Sequence, residues 1–179
     1  MSESIEQDLR YPIGRLNFES EINADMISSY IQDLEEAPAN LRNAVEGLSE
    51  AQLDSPYRPG GWTIRQVVHH LPDSHLNSYV RFKLALTEDN PVIKTYDEKK
   101  WADLADTFNT DIFVSVELLT NLHSRWVNLL KSLCRDDFKK TFRHPELGLI
   151  SLEKTLAIYA WHSKHHIAHI VSLRKRMGW

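Results

Sequence analysis

Histidine is the residue type whose number and placement in this sequence could support chemistry. The chain has nine histidines in 179 residues, three of them within 67–75 and four within 161–169. His162 and His166 are separated by four positions, so on a helix their Cβ atoms lie about 5–6 Å apart. At that separation two imidazoles can bind one metal ion, at about 2.0–2.1 Å from each ligand nitrogen. The spacing therefore predicts a metal site.

A site with two histidines from one helix needs a further ligand from a facing element. The other histidine-rich stretch offers His70. The alternative is a set of ordinary surface or half-buried histidines, because an i,i+4 histidine pair alone is a weak signal. Burying several imidazoles without partners would be costly, however, which favours a shared purpose. We expect one divalent metal ion per chain, and we expect surface or structural roles for His69, His75, His123 and His144.

Three neutral imidazoles leave at least one coordination position open, which is typical of catalytic sites, whereas closed structural zinc sites have four protein ligands. Such an ion can activate water as a nucleophile for hydrolysis, or it can bind a low-molecular-weight thiol as thiolate. In zinc proteases a glutamate follows the first helical histidine as general base, but here Ser163 follows His162. Chemistry alone therefore keeps thiol transfer as a close competitor of hydrolysis. A non-catalytic metal-binding module is a third alternative.

A capping box positions the helix that carries His70. The run Pro59-Gly60-Gly61 breaks regular structure. Directly after it, Thr63 and Gln66 have the spacing at which each side chain bonds the other residue's backbone N–H. We predict a helix from Thr63 to about Glu88.

Apolar residues recur at helical spacing in two further segments, 23–47 and 112–133. Pro38 lies inside the first and should bend or split it, because proline cannot donate the helical hydrogen bond. The last helix is predicted from Ser151 to Met177, with Gly178 as its C-cap. It carries His162 and His166.

Four long helices and almost no alternating strand pattern predict an all-α four-helix bundle. The long connection over 90–110, with a helical turn near 99–104, allows a crossover that leaves the second and third helices parallel. Residues 138–150 are expected to form an irregular or short extended excursion. We expect 1–179 to be a single domain, in which residues 1–20 form an extended N-terminal arm.

Composition and charge exclude several functional classes. The chain has 42% hydrophobic and 26% charged residues and a net charge of −4, which is the wrong sign for a nucleic-acid partner. The acidic, polar start and the lack of a long apolar run predict a cytoplasmic protein with no membrane segment. Cys134 is the single cysteine, so no internal disulfide can form. We expect it to be a small buried residue.

Several long motifs carry a resemblance to a known family. They are Tyr11-Pro12-Ile13-Gly14, the run from Tyr57 to Leu71 (YRPGGWTIRQVVHHL), the run from Asp73 to Lys83, the run from Trp161 to Ile170, and the ending RMGW. In these motifs, which extend over nearly the whole chain, the sequence resembles the YfiT family of proposed metal-dependent hydrolases, among the DinB-like four-helix bundles.

The resemblance implies a homodimer in an intracellular setting, a small-molecule substrate and a three-histidine site for zinc or nickel. By motif position its ligands are His70, His162 and His166. Some members of the wider DinB-like group are thiol S-transferases that use bacillithiol or mycothiol, so the resemblance also supports thiol transfer.

Pro72 departs from the family pattern, in which a helix former such as alanine is expected. It should kink the second helix beside His70. Asp73, Asn77 and Arg81 lie on the same helix face as His70 and are candidates for contacts to the ligands or the substrate. An ordinary polar helix face is the alternative for these three.

Overall fold

Four long helices form the framework of the protein. The computed structural model describes residues 8–17 and 21–179. The long helices are α1 (Ala24–Val45), α3 (Ile64–Thr87), α6 (Ile112–Lys131) and α7 (Leu152–Met177). The shorter elements are α2 (Glu50–Leu53), α4 (Glu98–Ala102), α5 (Ala105–Asn109), a 3₁₀ turn (Asp137–Lys139) and an antiparallel hairpin of β1 (Thr141–His144) and β2 (Gly148–Ser151). The all-α four-helix bundle is confirmed, and the hairpin is the predicted extended excursion.

The start of α3 and the end of α7 follow from local sequence. The Thr63 hydroxyl accepts from the Gln66 backbone N–H at 3.2 Å, and the Gln66 side-chain oxygen accepts from the Thr63 N–H at 3.0 Å. Both parts of the predicted capping box are therefore present. At the C-terminal end of α7, Gly178 adopts φ 72° and its N–H donates to the Arg174 carbonyl, as expected of a glycine C-cap.

The two helical prolines lie inside continuous helices. Helix α1 continues through Pro38 and α3 continues through Pro72, so neither proline splits its helix. Pro38 leaves the carbonyl of Leu34 without its helical donor. That carbonyl accepts instead from the ring of His123 on α6, at 2.6 Å. A partner from another helix thus replaces the missing bond.

Residue pairs between helices establish the chain directions. His69 contacts Ser115 and His75 contacts His123, so α3 and α6 run in the same direction. Helix α1 runs antiparallel to α6, since Arg42 pairs with Glu117 whereas Glu35 pairs with Lys131. The long connection containing α4 and α5 is therefore the predicted crossover.

The apolar core is divided into two clusters along the bundle axis. One surrounds Phe82, Trp126 and Leu156, and the other surrounds Val68, Leu119 and Ile170. On every long helix the two clusters are separated along the sequence, and the histidines of α3, α6 and α7 lie between them or within two residues of their facing ends. The bundle therefore contains a polar histidine layer between two apolar halves.

The predicted N-terminal arm is described only in part. Residues 8–17 form turns without a regular helix or strand, whereas 1–7 and 18–20 lie outside the described residues. Over the described ranges, no helix has both the length and the apolar character that crossing a membrane requires.

Candidate metal centre

The three histidines predicted as ligands lie together at the histidine layer. His70 from α3 and His162 and His166 from α7 each offer a ring nitrogen, and these nitrogens lie within 4.8 Å of one another. The Nε2 atoms of His70 and His162 are 3.2 Å apart. Two nitrogens bound tetrahedrally to one zinc ion would be about 3.3 Å apart. The separation suits two ligands of one ion.

Helix geometry accounts for this convergence. His162 and His166 are one turn apart on α7, with ring centroids 4.4 Å apart. His70 faces them from the antiparallel helix α3, at centroid distances of 5.2 Å from His162 and 4.9 Å from His166. Two rings therefore come from one local repeat, and the third comes from packing.

Burial keeps the three imidazoles neutral. It lowers the pKa of His70 to about 4 and lowers the pKa of His162 and of His166 well below the ordinary histidine value. The neighbouring histidines lower the pKa of His162 and His166 further. A neutral imidazole has a free lone pair, which is the form that binds a metal.

The donor set fits a divalent metal ion. Within the described ranges, no carboxylate and no cysteine joins the group of three histidines. The Nε2 atoms of His70 and His162 face each other at 3.2 Å, and their lone pairs would repel unless a cation lies between them. An ion held by these three ligands would retain an open position.

Aromatic side chains enclose the group. Trp62, just before α3, packs against His70 at 4.7 Å and against His166 at 6.3 Å between ring centroids. Tyr159, one turn before His162 on α7, lies 5.6 Å from its ring. Burial raises the pKa of the Tyr159 phenol, which keeps it protonated as a hydrogen-bond donor.

A polar recess lies beside Tyr159. Its volume is about 410 Å³, and its walls include Arg81, Tyr96, Glu98, His144, Glu146 and Tyr159. Tyr159 is thus shared by the recess and the ring of His162. The recess carries both positive and negative side chains, so it suits a small polar molecule.

The three residues predicted to line the His70 face have different surroundings. Asp73 is half-buried, and burial raises the pKa of its carboxyl to about 6. The side chain of Asn77 donates to the Asp73 backbone carbonyl at 2.9 Å, so it is tied to its own helix. Arg81 lines the polar recess.

Of the surface or structural roles expected for His69, His75 and His123, the structure excludes the surface role. His69, His75 and His123 are buried, with exposed fractions of 7%, 0% and 1%. His69 bonds Ser115, whereas His75 and His123 bond each other at 2.9 Å. His75 also reaches Nδ1 of His162 at 3.2 Å, so sequence reasoning missed two residues of the site. The available signal was the position of His123 on the apolar stripe of its helix, between Leu119 and Trp126.

The remaining histidines of α7 form a pair next to the group of three. The Nε2 atoms of His165 and His169 are 3.1 Å apart. Trp161 stacks on His165 at 4.3 Å, and Tyr57 stacks on His169 at 3.9 Å. These contacts hold the pair apart from the three converging nitrogens.

Cys134 differs from the expectation of burial. It is exposed in the turn after α6, and its thiol lies 3.2 Å from the Asp137 carboxylate. Helix α6 ends at Lys131, so its apolar stripe no longer determines the direction of a residue three positions later.

Comparison with known proteins agrees with the fold and with metal dependence. A model of the DinB superfamily matches residues 33–170, which include all four long helices in whole or in large part. The chain belongs to the DinB superfamily. Two of its relatives are proteins of Bacillus cereus (strain 03BB102) and Bacillus thuringiensis subsp. konkukian, each named as a proposed metal-dependent hydrolase. Each is 55% identical over 172 residues, which cover 96% of this chain and 99% of the relative.

Two solved structures of four-helix bundles are similar. The structure of YfiT from Bacillus subtilis is described as a probable metal-dependent hydrolase with an unusual four-helix bundle topology; the TM-score is 0.92 at 53% identity over 96% of this chain and 98% of YfiT. The protein TT2238 has a TM-score of 0.56 at 16% identity, over 82% of this chain and 98% of TT2238, and supports the fold alone. The expected resemblance to YfiT is confirmed.

Proposed function

We propose that this DinB-superfamily protein is a metal-dependent hydrolase acting on a small-molecule substrate. In this proposal one divalent cation per chain is bound by His70, His162 and His166. We expect zinc, with nickel as the alternative. The observation that carries it is the convergence of three neutral imidazoles without a fourth protein ligand among the described residues. The names of the relatives support the same class of activity.

A divalent ion with an open coordination position lowers the pKa of bound water and so provides a nucleophile near neutral pH. The protein's own residues bind and enclose the reactants. Trp62 covers the rings of His70 and His166 on one side and excludes water there. Tyr159 donates a hydrogen bond from its protonated phenol to a substrate in the polar recess, and Arg81 attracts an anionic group of that substrate.

Asp73 is our candidate for the proton acceptor that the sequence lacks after His162. It lies three residues after His70, so the two side chains share a helix face. Its pKa of about 6 is close enough to neutral for a general base. Ser163 cannot take this role, because it is buried and its hydroxyl donates to the Tyr159 carbonyl.

Hydrolysis is tested by comparing zinc-loaded and metal-free protein on simple esters and amides. We expect turnover that requires the metal, that is lost in His166→Ala and that persists in the matched variant His69→Ala, because His69 bonds Ser115 and belongs neither to the group of three histidines nor to the recess. The rate should rise with pH through the pKa of the activated water, near 7. Metal loading without any ester or amide turnover would refute the hydrolase assignment.

Thiol transfer is the second candidate, and the observation that favours it is the donor set itself. Within the described ranges, no carboxylate lies among the three histidine ligands. A thiol loses its proton when a metal binds it, so thiol transfer needs no such base. The same preparations should therefore be assayed for conjugation of a low-molecular-weight thiol to an alkyl halide. Metal-dependent conjugation without ester turnover would establish this alternative, and no activity in either assay would favour a metal-binding module.

We also propose that the protein is a homodimer. Large apolar side chains are exposed on α5 and α6, among them Phe108, Val114 and Leu118, which are each about half exposed. A second copy of the chain could cover them. Sedimentation equilibrium measures the mass directly, and a monomer at micromolar concentration would contradict the proposal.

A further inference from the structure

We propose that His75 and His123 are positioning residues, which fix the proton of His162 on Nδ1 so that its Nε2 lone pair faces the metal. The inference deepens the proposed function and rests on its metal site. It is carried by a continuous chain of hydrogen bonds that begins at a backbone carbonyl on α1 and ends at the ligand His162 on α7.

The series of hydrogen bonds begins at a backbone carbonyl whose helical donor is missing because of Pro38. In an α-helix the carbonyl of Leu34 would accept from the N–H of residue 38, but proline has no N–H. The Nδ1 atom of His123 lies 2.6 Å from this carbonyl oxygen. A carbonyl can only accept, so Nδ1 of His123 must carry a proton. The direction of the first hydrogen bond is therefore fixed by a group that cannot donate.

Each following step is determined by the one before. A neutral imidazole has one N–H and one acceptor nitrogen, so Nε2 of His123 accepts. Its partner is Nδ1 of His75 at 2.9 Å, which must donate. Nε2 of His75 then accepts from Nδ1 of His162 at 3.2 Å. The remaining nitrogen of His162 is Nε2, which lies 3.2 Å from Nε2 of His70.

The surroundings keep the two positioning histidines in the neutral form that this chain requires. His75 and His123 are almost completely inaccessible to solvent, and Trp126 packs edge-on against both rings. Burial disfavours the charged form of both rings and lowers the pKa of His123 to about 4. The two rings connect α1 to α7 through the bundle interior. Their hydrogen bonds offset the cost of burying two polar side chains.

The other α7 ligand lacks this support. Nδ1 of His166 has no hydrogen-bond partner within the described residues, whereas Nδ1 of His162 is bonded to His75. We therefore expect that His162 is the ligand whose ring orientation and tautomer are imposed by the protein. Loss of such outer partners typically weakens metal affinity about 10–100-fold.

The test compares zinc dissociation constants, measured by competition with a chromophoric chelator, for His75→Leu, His123→Leu and His123→Gln. We expect about 10–100-fold weaker binding in the two leucine variants. Glutamine offers both a donor and an acceptor, so it should restore most of the affinity. The matched control is His69→Leu. It also replaces a buried histidine of α3, but His69 takes no part in the series of hydrogen bonds from Leu34 to His162. The zinc affinity of this variant should stay close to that of the wild type. Since the bonds act in series, the double leucine variant should bind no more weakly than His75→Leu.

A second measurement needs no variant. Imidazole nitrogen-15 chemical shifts of the wild-type protein at pH 7 report the tautomer of each ring, and His75 and His123 should be protonated on Nδ1. Protonation of His123 on Nε2, or wild-type zinc affinity in both folded leucine variants, would overturn the positioning role. If the leucine variants do not fold, the nitrogen-15 tautomer measurement and the zinc affinity of His123→Gln test the positioning role instead. A wild-type protein that binds no zinc would instead refute the proposed metal site itself.

Discussion

Removing the metal ion should lower the melting temperature of the protein without unfolding it at room temperature. The ion would connect α3 to α7 through His70, His162 and His166, and it would bind the folded chain only. The two apolar clusters on either side of the histidine layer contain no ligand. They include side chains with no accessible surface, such as Leu34, Phe82 and Leu156 in one cluster and Leu119 and Ile170 in the other. This packing should hold the metal-free bundle together.

The size of the shift follows from mass action. A ligand present at 100 to 1,000 times its dissociation constant stabilises the folded state by about 2.7 to 4.1 kcal/mol. For a domain of this length, 1 kcal/mol corresponds to roughly 2–4 °C in melting temperature. The expected decrease on chelation is therefore on the order of 5 to 16 °C.

Differential scanning calorimetry with excess zinc and with excess chelator measures this difference. In His166→Ala the melting temperature should no longer depend on zinc, whereas in His144→Ala the dependence should be the same as in the wild type. Equal melting temperatures with zinc and with chelator in the wild type would refute the metal link. Unfolding by the chelator at room temperature would show that the apolar clusters are insufficient and that the metal has a structural role.

Three further predictions concern metal content, acid stability and the start of α3. Elemental analysis should give one metal per wild-type chain and a small fraction of that in His166→Ala, and full retention in this variant would exclude His166 as a ligand. The free energy of unfolding of the metal-free protein should decrease as the pH falls from about 6.5 toward 4. In this range unfolded His123 takes up a proton, whereas folded His123, with its pKa of about 4, stays neutral. The pKa difference corresponds to about 3 kcal/mol. Urea unfolding at pH 7 and pH 5 checks it, and a pH-independent stability would contradict the burial of His123. Thr63→Ala should cost about 1 kcal/mol in the same urea assay at pH 7, because the Gln66 N–H loses its cap; an unchanged midpoint would mean that the cap is not needed.

Sequence reasoning succeeded where the determining interactions are local. The start of α3 at Thr63 and the end of α7 at Gly178 depend on residues within four positions of each cap. The face shared by His162 and His166 likewise follows from the helical repeat. The place of His70 beside this pair depends on the facing helix α3, and the family motifs pointed to the same residue.

Sequence reasoning left open what depends on distant partners. A local rule predicted that Pro38 would bend or split its helix; the helix is not split, and the carbonyl that Pro38 frees is satisfied by His123, a residue 89 positions away in the sequence. Surface and structural roles were both expected for His75 and His123, because a single histidine in a sequence gives no information about its distant partners. Cys134 lies just beyond the end of its helix, where the apolar stripe no longer predicts burial.

The sequence by itself therefore determined the helices, their caps, the crossover and the histidine pair on α7, since each depends on neighbours along the chain or on the length of a connection. The tertiary structure decided which imidazoles converge, which of them are buried and which of them bond each other. Those properties depend on atoms from α1, α3, α6 and α7 at once, and only packing brings the carbonyl of Leu34 and the rings of His123, His75 and His162 into one series of contacts.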